Sequence, residues 1–407
     1  MPKTPRIHTR EDHPDFIDLD WTKPISEWTT GRLVDMPTGI HRHEVVFVAY
    51  QEGIYAIKEL PPRLSRHEFD ILRAMEGRTR HTAIAVGHVE RTWVDPHEEW
   101  AGAVITAYVD HAFPYRSLIS GIGFGERRDA LLDAFAGLLV ELHLHGLFWG
   151  DCSLSNVLYR WDASSIEAIM IDAETSRIHN TLSGGQRRED LEIMTMNVAG
   201  EMADIAAQHG AGLDDADIAL GDEIAARYFG LWKELTTSLV VTAGDHHRIR
   251  QRIDRLHNLG FAVGDIDLIP VDHGTNVKIR VKVGGRQYHS ERLREVIGID
   301  VSENQARAIL SDLAYHRAKF GGVSTTGKDV ATMKWRATVF EPLILQIAGL
   351  LPGTNSYQAY CDYLGFRLAM ALDRNEDVPN AEAFATWTEE GFPGLKGSAG
   401  VEPARSS

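Results

Sequence analysis

Short runs that alternate apolar and polar residues dominate the first part of the chain. Residues 44–50 and 54–60 form two such runs on either side of a short glycine-containing turn, a pattern that predicts a β-hairpin. Apolar runs at 82–88 and 101–108 predict further strands. Together with a first strand expected from Gly31 onward, these four runs predict a small five-stranded sheet.

The two ends of the chain lack such a pattern. Residues 1–30 are polar, contain several prolines and have few apolar positions, so we expect them to form a loose N-terminal arm. Residues 396–407 are expected to be a flexible tail.

Apolar positions with the period of an α-helix follow the predicted strands. The clearest case is 126–145, where leucines and Phe135 recur on one face and Gly146 provides a stop. Another helix is predicted from Pro61-Pro62 to about Gly77, because proline is tolerated in the first turn of a helix. Further helices are predicted at 189–208 and 215–240.

The C-terminal part mixes both patterns. Residues 277–283 alternate Val and Ile with Lys and Arg, and with a Gly-Gly turn and residues 286–293 they predict a second hairpin. Its basic face is interpreted either as a substrate-binding surface or as a face that meets solvent or an acidic partner. Ser302 and Gln305 fit a capping box for a helix that ends at Phe320. Other helices are predicted at 246–259, 335–351 and 356–372.

Composition narrows the possible classes of protein. The formal net charge of −16 over 407 residues argues against a general nucleic-acid binder, which needs clustered Lys and Arg for phosphate contacts. Cys152 and Cys361 are too few for a disulfide framework. The first residues contain no apolar stretch typical of a signal peptide, and no apolar run is long enough to span a membrane. We therefore expect a cytoplasmic protein.

The candidate chemistry lies between the long apolar helix and the next one. Asp151 follows Gly150, and Asn156 comes five residues later. An apolar strand then ends on Asp172, with Glu174 two residues beyond. An Asp that accepts a proton, followed by an Asn and an Asp that hold magnesium, is the minimal acidic set for phosphoryl transfer from a nucleotide.

At these residues the sequence resembles the protein-kinase-like superfamily. The lipopolysaccharide-kinase and choline-kinase-like small-molecule branches look most similar, because Gly-Asp in the catalytic loop and I-D-x-E after it are found there. The resemblance implies an α+β, two-lobed fold with a small β-rich N-lobe, a helical C-lobe and an extra α/β C-terminal domain that is uncharacterised. The implied divisions are an arm at 1–30, an N-lobe at 31–111, a C-lobe at 112–245, an accessory domain at 246–395 and the tail.

The resemblance also implies roles for the acidic residues. Asp151 would be the catalytic residue that orients and deprotonates an acceptor hydroxyl. Asn156 and Asp172 would bind magnesium, with Glu174 as a possible third ligand. ATP and Mg would then be the cofactors.

The nucleotide-binding residues implied by the resemblance lie in the predicted sheet. Ala56 would leave room for adenine, and Lys58 in the Ala-Ile-Lys motif would neutralise phosphate charge. A solvated lysine on an edge strand is the plainer alternative for Lys58. Glu68 is preferred over Glu76 as the partner that fixes Lys58.

Two further nucleotide contacts are implied by position along the chain. Gly39 lies where a phosphate loop would be, although the segment 38–43 contains only this glycine and could equally be an ordinary turn. Tyr108 begins a segment placed like the hinge between lobes, whose backbone would bind adenine.

Some residues depart from the family pattern. Trp149 stands where a histidine is usual, and Glu174 replaces a glycine, which argues against an activation loop of the protein-kinase type. The resemblance also implies that Asp190, at the start of the next helix, braces the catalytic loop, with a solvated charge as the alternative. Cys152 is interpreted as a small packing residue rather than a nucleophile.

Two other motifs are interpreted as coincidental. Residues 182–186 match an ABC-transporter signature, and 322–329 is nearly a Walker A motif. The second follows a helical pattern rather than a strand and ends on Asp329 instead of Ser or Thr. We expect 183–186 to be a flexible loop.

The sequence thus predicts an ATP-dependent phosphotransferase that acts on a hydroxyl of a small molecule or glycolipid-type acceptor. The alternative is a nucleotide-binding pseudokinase that serves as a regulatory or scaffold module, which Trp149 and the single-glycine loop favour. A protein partner could bind the C-terminal domain, and the acceptor is not identified.

Overall fold

A computed structural model describes residues 3–36, 43–118, 127–208, 210, 212, 214–242, 245–271, 276–320 and 325–394. It mixes helices and sheets, and the chain divides into two compact units. Unit 1 comprises residues 1–159 and 167–235, and unit 2 comprises 160–166 and 236–407. The predicted phosphate-loop residue Gly39 lies outside the described residues.

The described part of unit 1 contains a six-stranded antiparallel sheet with the order β1-β5-β6-β4-β3-β2. The predicted hairpin is confirmed as β3 and β4, and Val45 pairs with Lys58 across it. The strands are β1 Arg6–Thr9, β2 Leu33–Val34, β3 Val45–Tyr50, β4 Gly53–Leu60, β5 Ala85–Glu90 and β6 Gly102–Ala107.

Alternation on β4 separates the two faces of this sheet. Tyr55 and Ile57 are buried in an apolar cluster on one face. Ala56 and Lys58, on the other face, line a cleft that is described below. The hairpin therefore fixes which side of the sheet carries the candidate chemistry.

The prediction of a loose arm at 1–30 is wrong. Residues 6–9 form β1, which pairs with β5 and adds a strand to the five that were expected. Phe16, Trp21 and Ile25 are buried in the same apolar cluster as Tyr55. The segment packs on the sheet without forming a long helix or strand, so its apolar residues are irregularly spaced among polar ones. Neither a helical nor a strand period therefore predicts their burial.

The helices of unit 1 follow the predicted order. Helix α2 is buried along most of its length because its apolar residues cover nearly all sides. Gly146 ends it with φ +80°, and a Cβ there would lie 2.0 Å from the carbonyl oxygen of His179. The helices are α1 Pro62–Glu76, α2 Arg128–Leu144, α3 Gly184–Gln208, α4 Asp215–Ile218 and α5 Leu220–Thr236.

The segment between α2 and α3 consists of short strands and loops. β9 and β10 form a hairpin, β7 pairs with β9, and β8 pairs with β11. The tip of the hairpin, residues 160–166, is counted with unit 2. The strands are β7 Ala112–Pro114, β8 Leu147–Phe148, β9 Val157–Asp162, β10 Ser165–Met170 and β11 Arg177–Ile178.

The described part of unit 2 contains a three-stranded sheet, β12-β14-β13, and helices α6 to α12. Its core consists of buried residues from α7 to α12, among them Trp335 and Trp387. The strands are β12 Leu239–Thr242, β13 Val263–Val271 and β14 Asn276–Val283. The helices are α6 His246–Asn258, α7 Tyr288–Ile297, α8 Glu303–Phe320, α9 Thr325–Trp335, α10 Glu341–Leu350, α11 Ser356–Arg374 and α12 Asn380–Glu389.

The predicted C-terminal hairpin is wrong in its second strand. Residues 286–293 belong largely to α7, and β14 pairs instead with β13 and β12. The segment lacks β-branched residues, so it suits a helix better than a strand. In the same way, the predicted helix 215–240 ends at Thr236, because β12 joins the sheet of unit 2.

The predicted capping box at α8 is also corrected. The amides of Asn304 and Gln305 donate to the carboxylate of Asp162, at 2.9 and 2.7 Å. Asp162 comes from the hairpin tip, far away in the sequence, and is 1% exposed. It caps α8 in place of Ser302.

No helix in the described ranges is long and apolar enough to cross a membrane.

Candidate functional site

A cleft in unit 1 brings together sequence segments from the sheet and from the region between α2 and α3. It encloses about 810 Å³ of space, including the part that opens to solvent. Its walls are apolar except for a charged end. It is lined by Val45, Phe47, Ala56, Lys58, Glu68, Ala83, Val104, Thr106, Ala107, Tyr108, Val109, Ala112, Asn156, Leu158, Ile171 and Asp172.

Lys58 forms the centre of the charged end. Its Nζ lies 2.6 Å from Glu68 on α1 and 3.1 Å from Asp172, two residues after β10. Glu76, the competing partner in the sequence, pairs instead with Arg10 and Arg73. Lys58 is therefore held in the cleft by Glu68, as the sequence predicts, and is not a solvated edge lysine.

Burial and the neighbouring charges shift the pKa values of Lys58 and Glu68 in opposite directions. Burial lowers the pKa of Lys58, but the charges of Glu68 and Asp172 outweigh it and hold the pKa above its usual value. Burial raises the pKa of Glu68 to about 7, against the opposing charge of Lys58. The lysine is thus a permanent cation, and its charge faces a concentration of carboxylates.

Glu174 joins this concentration of negative charge. One carboxylate oxygen from each of Glu68, Asp172 and Glu174 lies within 4.8 Å of the others. His43, at the edge of the predicted phosphate loop, places Nε2 2.9 Å from Glu174. Glu174 is anchored further by its backbone amide, which donates to Asp172 at 3.1 Å.

Oxygen ligands of this kind are those that magnesium prefers. Asp172 and the amide of Asn156 line the same cleft, and Glu174 lies beside Asp172. The three predicted metal ligands are therefore compatible with a magnesium ion near Asp172. Glu68 completes the acidic cluster but is already paired with Lys58.

Asp151 lies beside Asn156 and is held on both sides. The Asn156 amide donates to the Asp151 backbone carbonyl at 3.0 Å and to its carboxylate at 3.2 Å. Asn197 of α3 donates to the other carboxylate oxygen at 2.9 Å and to the carbonyl of Cys152 at 3.1 Å. These contacts fix the rotamer of the Asp151 carboxylate.

The pKa of Asp151 is raised by burial and by the charge of Asp172, while hydrogen bonds from Asn156 and Asn197 oppose the shift. A carboxylate whose pKa is raised is a stronger proton acceptor than an exposed one. The environment of Asp151 thus suits a group that takes a proton.

Asp190 braces the loop that carries Asp151, as the sequence predicts. Its carboxylate accepts hydrogen bonds from the amides of Trp149 and Gly150, both at 2.7 Å, and lies 3.0 Å from His143 Nε2. It also accepts from Cys152 at 3.4 Å. Burial and the charge of Asp190 raise the pKa of the Cys152 thiol well above its usual value, which fits a packing residue.

Trp149 makes a contact specific to its indole ring. The indole N–H donates to the backbone carbonyl of Asp172 at 2.9 Å, and the ring meets Phe135 edge-on. The tryptophan therefore ties the Asp151 loop to the residues just after β10, where Asp172 lies. Gly150 follows with φ +81° and lies close to Thr175.

Sequence analysis missed Asn197 and Glu201. Glu201 accepts hydrogen bonds from the amides of Leu154 and Ser155, both at 2.8 Å. Both residues project from α3, four positions apart, so one face of this helix supports the loop. That spacing of polar residues after Asp190 is the signal that could have found them.

The predicted hinge segment lies at the apolar end of the cleft. The amide of Tyr108 donates to the carbonyl of Ile54, so it is occupied. In the described residues, the amide of Val109 has no hydrogen-bond partner, although Val109 lines the cleft. Ala56 lines the same end, opposite Phe47 on the neighbouring strand.

The ABC-like segment is a helix start and not the flexible loop that was expected. Ser183 Oγ accepts from the amide of Gln186 at 3.2 Å, and the Gln186 side chain accepts from the amide of Ser183 at 2.9 Å. This reciprocal pair is a capping box for α3. In the Walker-like segment, residues 325–329 are the first turns of α9, and 322–324 lie outside the described residues.

Comparisons with known proteins match different parts of the chain. A family model described as a domain of unknown function, DUF4032, matches residues 230–391. No curated protein matches the sequence.

Two solved structures are similar to part of the chain. One is WaaP in complex with acyl carrier protein, with 16% identity, a TM-score of 0.33, and coverage of 56% of this chain and 88% of that one. The other is the Rio2 kinase–ADP/Mg²⁺–phosphoaspartate complex from Chaetomium thermophilum, with 16% identity, a TM-score of 0.30, and coverage of 50% and 70%. None of these matches assigns a reaction to this chain.

Proposed function

We propose that this protein is a magnesium-dependent phosphotransferase that moves the γ-phosphoryl group of ATP to a hydroxyl of a small molecule or glycolipid-type acceptor. The proposed architecture of unit 1 is two-lobed and protein-kinase-like. The observation that carries the proposal is the meeting of Lys58, Glu68, Asn156 and Asp172 at one end of one cleft. Asp151 joins them through the hydrogen bond that its carboxylate accepts from the Asn156 amide. These residues come from distant parts of the sequence.

Nucleotide binding would use both ends of the cleft. The apolar end, with Ala56 and Ile171, suits a flat adenine ring, and the Val109 amide supplies a hydrogen-bond donor there. At the charged end, Lys58 would contact phosphate oxygens, because Glu68 keeps its ammonium group in place. The apolar walls and the charged end of the cleft therefore suit an apolar base followed by a polyphosphate.

Magnesium would neutralise negative charge at the charged end of the cleft. Asp172 and Asn156 would hold the ion, with Glu174 as a third ligand, and the bound ion would neutralise charge on the phosphates. Without a cation, the carboxylates of Asp172 and Glu174 would repel both each other and a triphosphate. The acidic cluster is thus better suited to metal–nucleotide than to free nucleotide.

Asp151 would act on the acceptor. It would accept the hydroxyl proton as the acceptor oxygen forms a bond to the γ-phosphorus and the bond from that phosphorus to the ADP oxygen breaks. Asn156 and Asn197 hold the carboxylate in one orientation for this step. Positioning and charge neutralisation would supply most of the rate enhancement.

A nucleotide-binding regulatory module remains the second candidate. The contact between His43 and Glu174 at 2.9 Å favours it, because it occupies one carboxylate oxygen of Glu174 that could otherwise bind a metal ion. In that case the cleft would bind ATP but transfer no phosphoryl group.

The test uses purified protein, isotopically labelled ATP, magnesium and a cell metabolite extract, with mass-spectrometric detection of labelled products. We expect a labelled phosphorylated product with the wild type and a loss of roughly 100-fold or more with Asp151→Asn, which keeps the size of the side chain and removes its basicity. ATP binding by Asp151→Asn should survive. Tight ATP binding with no labelled product from the wild type would support the regulatory module and contradict the transferase.

A further inference from the structure

A second cavity is lined by residues of unit 2 alone, none of which takes part in the proposed reaction. It encloses about 720 Å³ of space, including the part open to solvent, and is bordered by α8, the end of α9 and α11. Its lining combines aromatic rings with charged side chains. The residues are Asp312, Tyr315, His316, Lys319, Phe320, Lys334, Trp335, Thr338, Val339, Arg367, Asp377, Pro379 and Asn380.

Asp312, one of the two carboxylates in this lining, is satisfied by the protein. It accepts hydrogen bonds from the indole of Trp335 at 2.7 Å, the hydroxyl of Tyr360 at 3.0 Å and the guanidinium of Arg367 at 3.4 Å. Its side chain is only 10% exposed. Asp312 therefore holds the walls of the cavity together and is not available to a ligand.

Asp377 is satisfied in the same way. It accepts from the hydroxyl of Tyr315 at 2.5 Å, from Lys319 at 2.9 Å and from Arg367 at 3.3 Å. Hydrogen bonds from Tyr315 and Lys319 lower the pKa of Asp377 to about 2, so it stays charged and paired. The two carboxylates thus compensate the charges of Lys319 and Arg367.

Two nitrogen groups of the lining are left without such partners. Within the described residues, Lys334 has no carboxylate partner, and its Nζ lies 5.6 Å from the centre of the Phe320 ring. His316 Nε2 is shielded from solvent and has no hydrogen-bond partner there. An ammonium group without a salt bridge and an imidazole nitrogen without a hydrogen bond therefore border the cavity, and the acidic charge that acts on His316 is that of Asp312, which the protein already satisfies.

The aromatic walls make the cavity suitable for a flat molecule. Tyr315 and Phe320 are 43% and 56% exposed, while Trp335 is fully buried. Lys319 lies 5.7 Å from the ring centres of both Tyr315 and Phe320. Exposed rings next to cations favour a ligand with a planar body and a negative charge.

The backbone at the cavity is also irregular. Residues Arg336–Phe340 form a π-helical turn between α9 and α10, and Thr338 and Val339 of this turn line the cavity. π-Helical turns of this length are rare and occur frequently at functional sites. The turn is an observation independent of the charges, and it indicates the same cavity as a functional site.

We propose that this cavity of unit 2 is a binding site for a small aromatic anion, with Lys334 and His316 contacting the negative group and Tyr315 and Phe320 contacting the ring. Either a phosphate or a carboxylate could supply the negative charge. The site is separate from the proposed phosphotransfer chemistry, because each of its lining residues belongs to unit 2.

Calorimetric titration of the full chain without magnesium tests this proposal. The probes are phenyl phosphate and benzoate, with inorganic phosphate and phenol as probes that lack the ring or the charge. We expect at least one aromatic anion to bind more tightly than both partial probes, and the preferred one identifies the source of the charge. Lys334→Glu should weaken its binding roughly tenfold or more.

Lys328→Glu is the matched control, because Lys328 is an exposed lysine of the same helix that does not line the cavity. It should bind the probe as the wild type does, and so should Lys58→Met, which alters the cleft of unit 1. Unfolding curves should show that all variants are folded. Equal binding by wild type and Lys334→Glu, or no binding of either aromatic anion at about 10 mM, would overturn the proposal.

Discussion

The carboxylates at the cleft of unit 1 and the carboxylate at the hairpin tip in unit 2 differ in the groups that surround them. Asp162 in unit 2 is covered by donors, namely the amides of Asn304 and Gln305 and the Asn304 side chain. In the cleft, Asp172 and Glu174 lie close to another carboxylate, Glu68. The first arrangement stabilises a helix end, and the second leaves negative charge that a ligand could use.

The comparison teaches how to separate structural from functional acidic residues in a single chain. Asp190 in unit 1 is a structural carboxylate of the same kind as Asp162. Its carboxylate accepts hydrogen bonds from two amides of the loop that carries Asp151. A carboxylate surrounded by donors has little left to offer a metal ion or substrate. A carboxylate beside other carboxylates raises the energy of the empty site and favours a bound cation.

The largest expected effect on stability is that of Asp190→Ala. It leaves the amides of Trp149 and Gly150 without their acceptor in a buried position, so we expect the free energy of unfolding to fall by about 3–5 kcal/mol. Urea denaturation checks this expectation. A change below about 1 kcal/mol would show that the hydrogen bonds to Asp190 do not stabilise the loop as described.

Asp162→Ala should have the next largest effect. It removes the acceptor for the first amides of α8, and we expect a loss of about 2–3 kcal/mol, confined to unit 2. Hydrogen exchange should show faster exchange in α8. Asp300→Ala, a change at an exposed carboxylate close in sequence, is the control and should leave α8 protected.

Measuring the free energy of unfolding over a range of pH tests the buried ion pairs of His81 with Glu141 and Glu167 in unit 1. His81 is buried, and although burial lowers its pKa, the charges of Glu141 and Glu167 raise it to about 10. The folded state therefore holds a proton that the unfolded state releases near pH 6.5. Stability from this group should be complete below pH 6.5 and disappear as the pH rises towards 10. His81→Gln should flatten this dependence, and an unchanged slope would contradict the assignment.

Asn197→Ala should have the smallest effect of this series and should act on the proposed reaction. Loss of the hydrogen bond to Asp151 frees its carboxylate to rotate, so we expect kcat to fall roughly tenfold while the KM for ATP stays nearly constant. Asn197→Asp places a like charge beside Asp151 and should lower kcat further. Equal effects on kcat and on ATP affinity would point to a general structural role.

Much of the local structure could be predicted because it depends on neighbours in sequence. The alternation in β4 placed Ala56 and Lys58 on one face, which follows from the strand period within a short segment. The pairing of Lys58 with Glu68 and the brace by Asp190 were implied by the family resemblance, and the structure has both contacts. Asp190 lies 40 positions after Gly150, so a local period alone would not have found its contact.

The remaining features depend on contacts between distant segments. The cap on α8 comes from Asp162, 142 residues before Asn304, and no local pattern contains that information. Asn197 and Glu201 acquire their roles only because α3 packs beside the Asp151 loop. The buried Trp21 of the supposed arm likewise depends on a sheet formed by later residues.

The most direct test of the central claim is calorimetric titration of ATP with and without magnesium, for the wild type and for Asp172→Ala. Because Asp172 lies 3.1 Å from Lys58 and next to the acidic cluster, we predict tighter ATP binding in the presence of magnesium for the wild type. Asp172→Ala should abolish that dependence on magnesium. Equal ATP affinity with and without magnesium, unchanged by the substitution, would contradict the proposed metal–nucleotide site.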